Sequence, residues 1–266
     1  MSKPLTALSS YQKPPDDWII PHVLKRRNTG FIIGRPKKAA KSWLLMNLGW
    51  DLSDGTNAWS VVHSHDGEIL KPTRPMRVFY FSQEDTEDDL HDRFSLMVKA
   101  GRIPTNNFWY ETKDLSLTLD PNGLGKIIDA LKPAAPLDLV MFDPMRRFHS
   151  FDENRSDEMS KLWHSVNVIQ QKFDCACLFS HHTVKPGQFT ASEEDPNSAR
   201  GSGDIFGGAD AFINVVPRSR KGNPKRGALN APLTLYFEIK RGKPIVPIDL
   251  TVDFTTGGVT FDGFTP

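Results

Sequence analysis

Lys41 and Ser42 stand between an apolar run, Phe31-Ile32-Ile33, and a helix-like run that begins Trp43-Leu44-Leu45-Met46. A strand, a tight loop, Lys-Ser and a helix form the layout of a phosphate-binding loop, written G-x-x-x-x-G-K-[ST]. A helix start offers unpaired backbone N–H groups and a partial positive charge to an anion. In that reading Lys41 meets the β- and γ-phosphates of a nucleotide and Ser42 ligates Mg²⁺. The glycines, however, are displaced. Counted back from Lys41, the two glycine positions hold Arg35 and Ala40, and Gly34 falls one residue early. A left-handed alanine at position 40 costs on the order of 1 kcal/mol, and its methyl group crowds bound phosphates. Lys37 and Lys38 either compensate that crowding with charge or are solvated lysines. By itself, the Lys-Ser pair is read equally well as the opening of an amphipathic helix.

Three more apolar runs end in polar side chains. Residues 137–144, LDLVMFDP, have the Walker B form, a buried strand whose terminal Asp143 can hold Mg²⁺ through a water; the plain alternative is a strand end followed by an Asp-Pro turn. Residues 78–85, VFYFSQED, run into two carboxylates. Glu84 is the candidate to orient an attacking water, while Asp85 or Thr86 is placed to cap the acidic helix start at Glu87-Asp88-Asp89. Residues 177–183, CLFSHHT, form a strand that ends in polar side chains able to hydrogen-bond a γ-phosphate. Zinc is a poor reading of His181-His182, since two adjacent residues rarely serve one tetrahedral ion and no third ligand stands at a recognisable spacing.

These residues need a scaffold that brings strand ends together. Strand-like runs at 31–33, 78–82, 108–111, 137–143 and 175–180 alternate with helix-like segments at 42–53, 86–100, 123–132 and 156–173. That alternation predicts an α/β fold with a mostly parallel twisted sheet, helices on both faces, and ligands outside the carboxyl ends of the strands. Residues 184–208 are rich in Gly, Ser, Pro, Asn and acids and read as a mobile loop. Runs 211–216, 233–240 and 245–252 read as antiparallel strands at one edge, with a basic linker at 217–231. The expected organisation is an arm at 1–28 anchored by Trp18-Ile19-Ile20, one core domain at 29–253 and a tail at 254–266.

The bulk numbers fit one large domain: 266 residues, 38% hydrophobic and 24% charged. A net charge of +1 assigns no partner, so nucleic-acid binding has to come from local patches such as Arg218-Ser219-Arg220-Lys221 and Lys225-Arg226. Cys175 and Cys177 are expected on opposite sides of the sheet and unpaired. No run approaches the roughly 18 apolar residues of a membrane span, and residues 1–15 lack the apolar region of a signal peptide. A cytoplasmic protein without membrane contact is expected.

Taken in order, Lys41-Ser42, FSQED, LDLVMFDPMRRFH with DEN after it, FSHHTVK and ARGSGDIFGGAD resemble the RepA-like branch of the RecA-type ATPases, over roughly residues 20–245. That branch includes hexameric replicative helicases of plasmids and related ATPases of phages and mobile elements. Relatives usually show Gly-x-Pro-Lys-x-Gly-Lys-Ser; this chain, with GRPKKAAKS, is one residue longer and has Ala40 for the second glycine. The resemblance implies a RecA-like P-loop core with antiparallel edge strands, ATP and Mg²⁺. It implies a nucleotide loop of Gly34, Arg35, Pro36, Lys37, Lys38, Ala39, Ala40, Lys41, Ser42 and Trp43. Glu84 becomes the catalytic glutamate, Ser42 and Asp143 the metal residues, and His182 a sensor. Arg200 and Lys240-Arg241 fall where such proteins carry residues that reach a neighbour's nucleotide. A homo-oligomeric, hexameric ring on single-stranded DNA is expected, with Arg146, Arg147, Lys185 and Arg200 toward the nucleic acid. The alternative is a nucleotide-binding module that assembles with replication or recombination partners and hydrolyses little, which the damaged glycine pattern favours. A small-molecule kinase lacks support, because no arginine-rich lid segment is evident.

Overall fold

Strands such as Val78-Phe79-Tyr80-Phe81 and Leu139-Val140-Met141-Phe142 are apolar on both faces, and only a sheet covered on both sides satisfies them. The computed structural model describes residues 17–36, 39–61, 70–183, 203–218, 228–240 and 242–265. In chain order the elements are β1 (Trp18–Ile20), β2 (Leu24–Lys25), β3 (Thr29–Gly34), α1 (Lys41–Asp54), β4 (Val78–Ser82), α2 (Glu87–Lys99), β5 (Phe108–Glu111) and α3 (Leu124–Leu131). They continue with β6 (Leu139–Asp143), α4 (Ser156–Phe173), β7 (Ala176–His182), α5 (Gly203–Gly208), β8 (Ala211–Pro217), β9 (Asn230–Ile239), β10 (Ile248–Asp253) and β11 (Val259–Phe264).

Among the described residues, nine strands form one sheet in the order β11-β10-β9-β8-β3-β7-β6-β4-β5. From β8 to β5 all pairings are parallel, while β9, β10 and β11 close the other edge as antiparallel strands. Leu44, Leu45 and Leu48 of α1 and Leu90 and Met97 of α2 share a core with Tyr80, Met141 and Leu178. On the other face Ile127 and Leu131 of α3 and Leu162, Val166 and Ile169 of α4 pack with Phe79, Phe142 and Phe179. A ladder of rings crosses that face: Phe81–Phe142, Phe142–Phe179, Phe179–Phe31 and Phe31–Phe212, with centroids 5.3, 4.8, 5.5 and 5.5 Å apart. Same-face neighbours on adjacent strands meet in this way, and the ladder fixes the register that aligns the strand ends.

Several expectations change. Cys175 and Cys177 lie on one face, in the same core, because side chains in a strand alternate with a period of two; both are free thiols. Residues 254–266 are not a tail beside the domain: β11 pairs with β10, and Val259 is buried. The arm joins the core from Trp18 onward, since Ile19, Ile20, Val23 and Leu24 are buried. Arg26 pins this hairpin to Asp17, to the Asp174 carbonyl and, at 2.7 Å, to Asp138. Within the span read as a mobile loop, residues 203–208 form α5, held by Ile205 in the core; residues 184–202 lie outside the described residues. Arg218, expected in a basic patch, is taken up by Asp262 and lies 3.6 Å from Asp249, which ties β8 to the edge strands; residues 219–227 lie outside the described residues. No helix among the described residues is long and apolar enough to cross a membrane.

Candidate functional site

Because β3, β7, β6 and β4 are adjacent and parallel, their carboxyl ends Gly34, His182, Asp143 and Ser82 meet at one rim of the sheet. The loop after β3 turns sharply into α1. A side chain on Gly34 would put its Cβ 2.5 Å from that of Ala39 and 2.9 Å from the Val215 carbonyl oxygen, so this close approach requires glycine. Ala40 is the residue before α1 and adopts φ 45°, ψ 32°, the left-handed conformation that a glycine would take without strain. The displaced motif therefore keeps the turn and changes the residue that makes it.

Lys41, only 7% exposed, folds back over the loop. Its Nζ donates to the carbonyl oxygens of Gly34 at 3.0 Å and Arg35 at 3.4 Å, and lies 3.2 Å from His182 Nδ1. Burial lowers the ammonium to about 8, against the opposing charges of Asp143 and Glu84. His182 thus receives Lys41 at the rim, whereas His181 points to the opposite face and packs edge-on against Phe31. Ser42 is half-buried in the first turn of α1. Trp43 has its ring against Phe254 and under the Arg93 guanidinium, which leaves its backbone N–H as the group to offer an anion.

Asp143 is buried at the end of β6 and accepts from Tyr80 on one oxygen, at 2.8 Å, and from Ser180 on the other. The two acids after β4 separate cleanly. Asp85 is buried and bonded bidentately to Arg93, at 2.8 Å twice, and to the Ser82 hydroxyl at 2.8 Å. Thr86, not Asp85, caps α2, in a reciprocal box with Asp89. Glu84 is half exposed at the rim, with Arg147 Nε 3.6 Å from its carboxylate. Arg146 donates to the carbonyls of His149 and Phe151, at 3.3 and 3.1 Å, and both arginines are exposed. Lys240 follows β9 and donates to the Gly207 carbonyl at 2.8 Å. It sits at the far end of the sheet, since Ile239 is opposite Ala211 whereas Gly34 is opposite Val215, about 13 Å along the strand. Lys37, Lys38, Lys185, Arg200 and Arg241 lie outside the described residues.

The donor set of Ser42 hydroxyl and Asp143 carboxylate is all oxygen, which suits a hard ion such as Mg²⁺ that keeps waters and takes its other ligands from phosphates. No group of three His, Cys, Asp or Glu side chains gathers to hold a metal among the described residues. Tyr80, Ser180 and Arg93 escaped the sequence reasoning. For Tyr80 and Ser180 the available signal was their polarity inside apolar strands, two residues from Ser82 and His182 on the same face; Arg93 lies on α2, eight residues after Asp85.

A family model described as an AAA domain, AAA_25, matches residues 3–188. The chain belongs to this AAA domain family. Solved structures share its fold at low identity. One solved ATPase domain superposes with a TM-score of 0.60 at 13% identity, covering 91% of this chain and 86% of that one. A DnaB-like replicative helicase, solved for its interactions with primase, gives 0.61 at 13% identity and 88% coverage; the present chain spans 59% of its length. A KaiC-like protein of the hyperthermophilic archaeon Pyrococcus horikoshii OT3 gives 0.56 at 9% identity, with 90% of each chain covered. The α/β core of this AAA domain is RecA-like.

Proposed function

We propose that the chain is a Mg²⁺-dependent ATPase of the RepA-like kind that works on single-stranded DNA as a homo-oligomeric ring. The observation that carries this reading is the convergence of Lys41, His182, Asp143 and Glu84 on one rim around a strained loop at the start of α1. The loop N–H groups and the α1 dipole receive the phosphates. Lys41 exchanges the carbonyls of Gly34 and Arg35 for phosphate oxygens, and His182 donates to the terminal phosphate. Ser42 and Asp143 would hold Mg²⁺, which supplies neutralisation of the phosphate charge. Glu84 accepts a proton from the attacking water, and its pairing with Arg147 leaves it at the solvent side where that water enters. Lys240 is too far from its own Gly34 to serve it, which supports a role for Lys240-Arg241 at a neighbour's nucleotide. Exposed Arg146 and Arg147, with Lys185 and Arg200, are the cations offered to DNA phosphates.

Lys41→Ala tests the site. Losing one charge-assisted bond to phosphate, about 1.5–3 kcal/mol, weakens nucleotide binding by about 10–100-fold, measured with a fluorescent ATP analogue. A variant that binds and hydrolyses ATP like the parent refutes the assignment. Light scattering with and without ATP and single-stranded DNA tests the ring. The second reading, a nucleotide-binding module of weak hydrolysis, is favoured by the Ala40 methyl group in the cradle, and a phosphate-release assay separates the two.

A further inference from the structure

Asp143 has both carboxylate oxygens engaged, by donors from the strands on either side. The Tyr80 hydroxyl of β4 donates to Oδ2 at 2.8 Å and the Ser180 hydroxyl of β7 donates to Oδ1. Register explains the reach. Phe142 is opposite Phe179, which brings Ser180 level with Asp143, while Ser82 is opposite Asp143 on the other side. Tyr80, two residues before Ser82 on the same face, spans the diagonal with its ring. Both hydroxyl-bearing residues are fully buried, in strands where phenylalanine and alanine would pack without needing a partner.

An ionised carboxylate has about four acceptor positions, so two hydroxyls leave capacity on each oxygen.

We propose that Tyr80 and Ser180 are positioning residues for the metal half of the site, clamping Asp143 from both flanking strands in the orientation in which it accepts from the hydration shell of a nucleotide-bound divalent cation. This rests on the Mg²⁺–nucleotide reading above. Losing such an outer partner costs about 10–100-fold in metal affinity.

The test uses the full chain as Tyr80→Phe, Ser180→Ala and the double variant, with a fluorescent ADP analogue titrated by Mg²⁺ and, separately, Mn²⁺ binding followed by electron paramagnetic resonance. Each single variant is expected to need about 10–100-fold more metal for half-saturation, while affinity for the analogue in EDTA stays within about twofold of the parent. Half-saturation within about twofold of the parent in both single variants overturns the inference. So does an equal loss with and without metal, which marks a packing role alone. A parent that binds the analogue but shows no response to either metal overturns it as well, and a parent that binds no nucleotide removes the reading beneath it.

Discussion

Replacing Ala40 by glycine tests whether the displaced motif stores strain. At φ 45° the alanine pays on the order of 1–2 kcal/mol for its left-handed backbone, which glycine releases. Against that, glycine adds about 0.4–1 kcal/mol of unfolded-chain entropy. Removing a half-buried methyl group loses about 0.4 kcal/mol, half the value of a fully buried one. The sum is a gain of about 0.5 kcal/mol. Ala39 supplies the control. It is fully buried, so Ala39→Gly loses about 0.8 kcal/mol of burial and about 0.4–1 of entropy, roughly 1.5 in all. The two adjacent substitutions should therefore differ by about 2 kcal/mol. For 266 residues, at about 2.1 cal/mol/K per residue, this separates their melting temperatures by about 4 °C. Thermal and urea unfolding of the nucleotide-free proteins measure it. The glycine at 40 should also tighten nucleotide binding, by removing a methyl group from the cradle. An Ala40→Gly protein destabilised as much as Ala39→Gly refutes the reasoning.

Lys41 makes the site sensitive to alkali. With its folded value near 8, the ammonium that attracts phosphate is lost above that pH, and nucleotide affinity should fall by about tenfold between pH 7 and pH 9. The unfolded lysine keeps its proton to about 10.5, so the folded state gains stability as pH rises from about 8 toward that value; Lys41→Ala should abolish this slope in urea melts at successive pH. Glu84→Gln should keep ATP affinity and lower single-turnover hydrolysis on the order of 100-fold, and an unchanged rate refutes the water-orienting role.

Much of the rim was legible because it is written locally. Apolar runs ending in Asp143, Glu84-Asp85 and His181-His182, each alternating with a helix-length segment, announce parallel strands, and their polar ends gather at one rim of the sheet. Lys41-Ser42 at a helix start could be recognised despite the misplaced glycines, since the helix and the cation are set by neighbours in sequence. What the tertiary structure decided are matters of register and partner. Nothing near Asp85 announces that Arg93, eight residues on, takes its carboxylate, which leaves Glu84, beside Arg147, as the half-exposed acid of the two. Tyr80 and Ser180 reach Asp143 only because β6 lies directly between β4 and β7, while β5, which follows β4 in the chain, is displaced to the outer edge. The last strand was hidden for a similar reason: Val259–Phe264 alternates weakly, and pairing with β10 makes it a strand. Periodicity reports which face of a segment is buried, while the contacts that tune a charged group depend on which distant segment is folded against it.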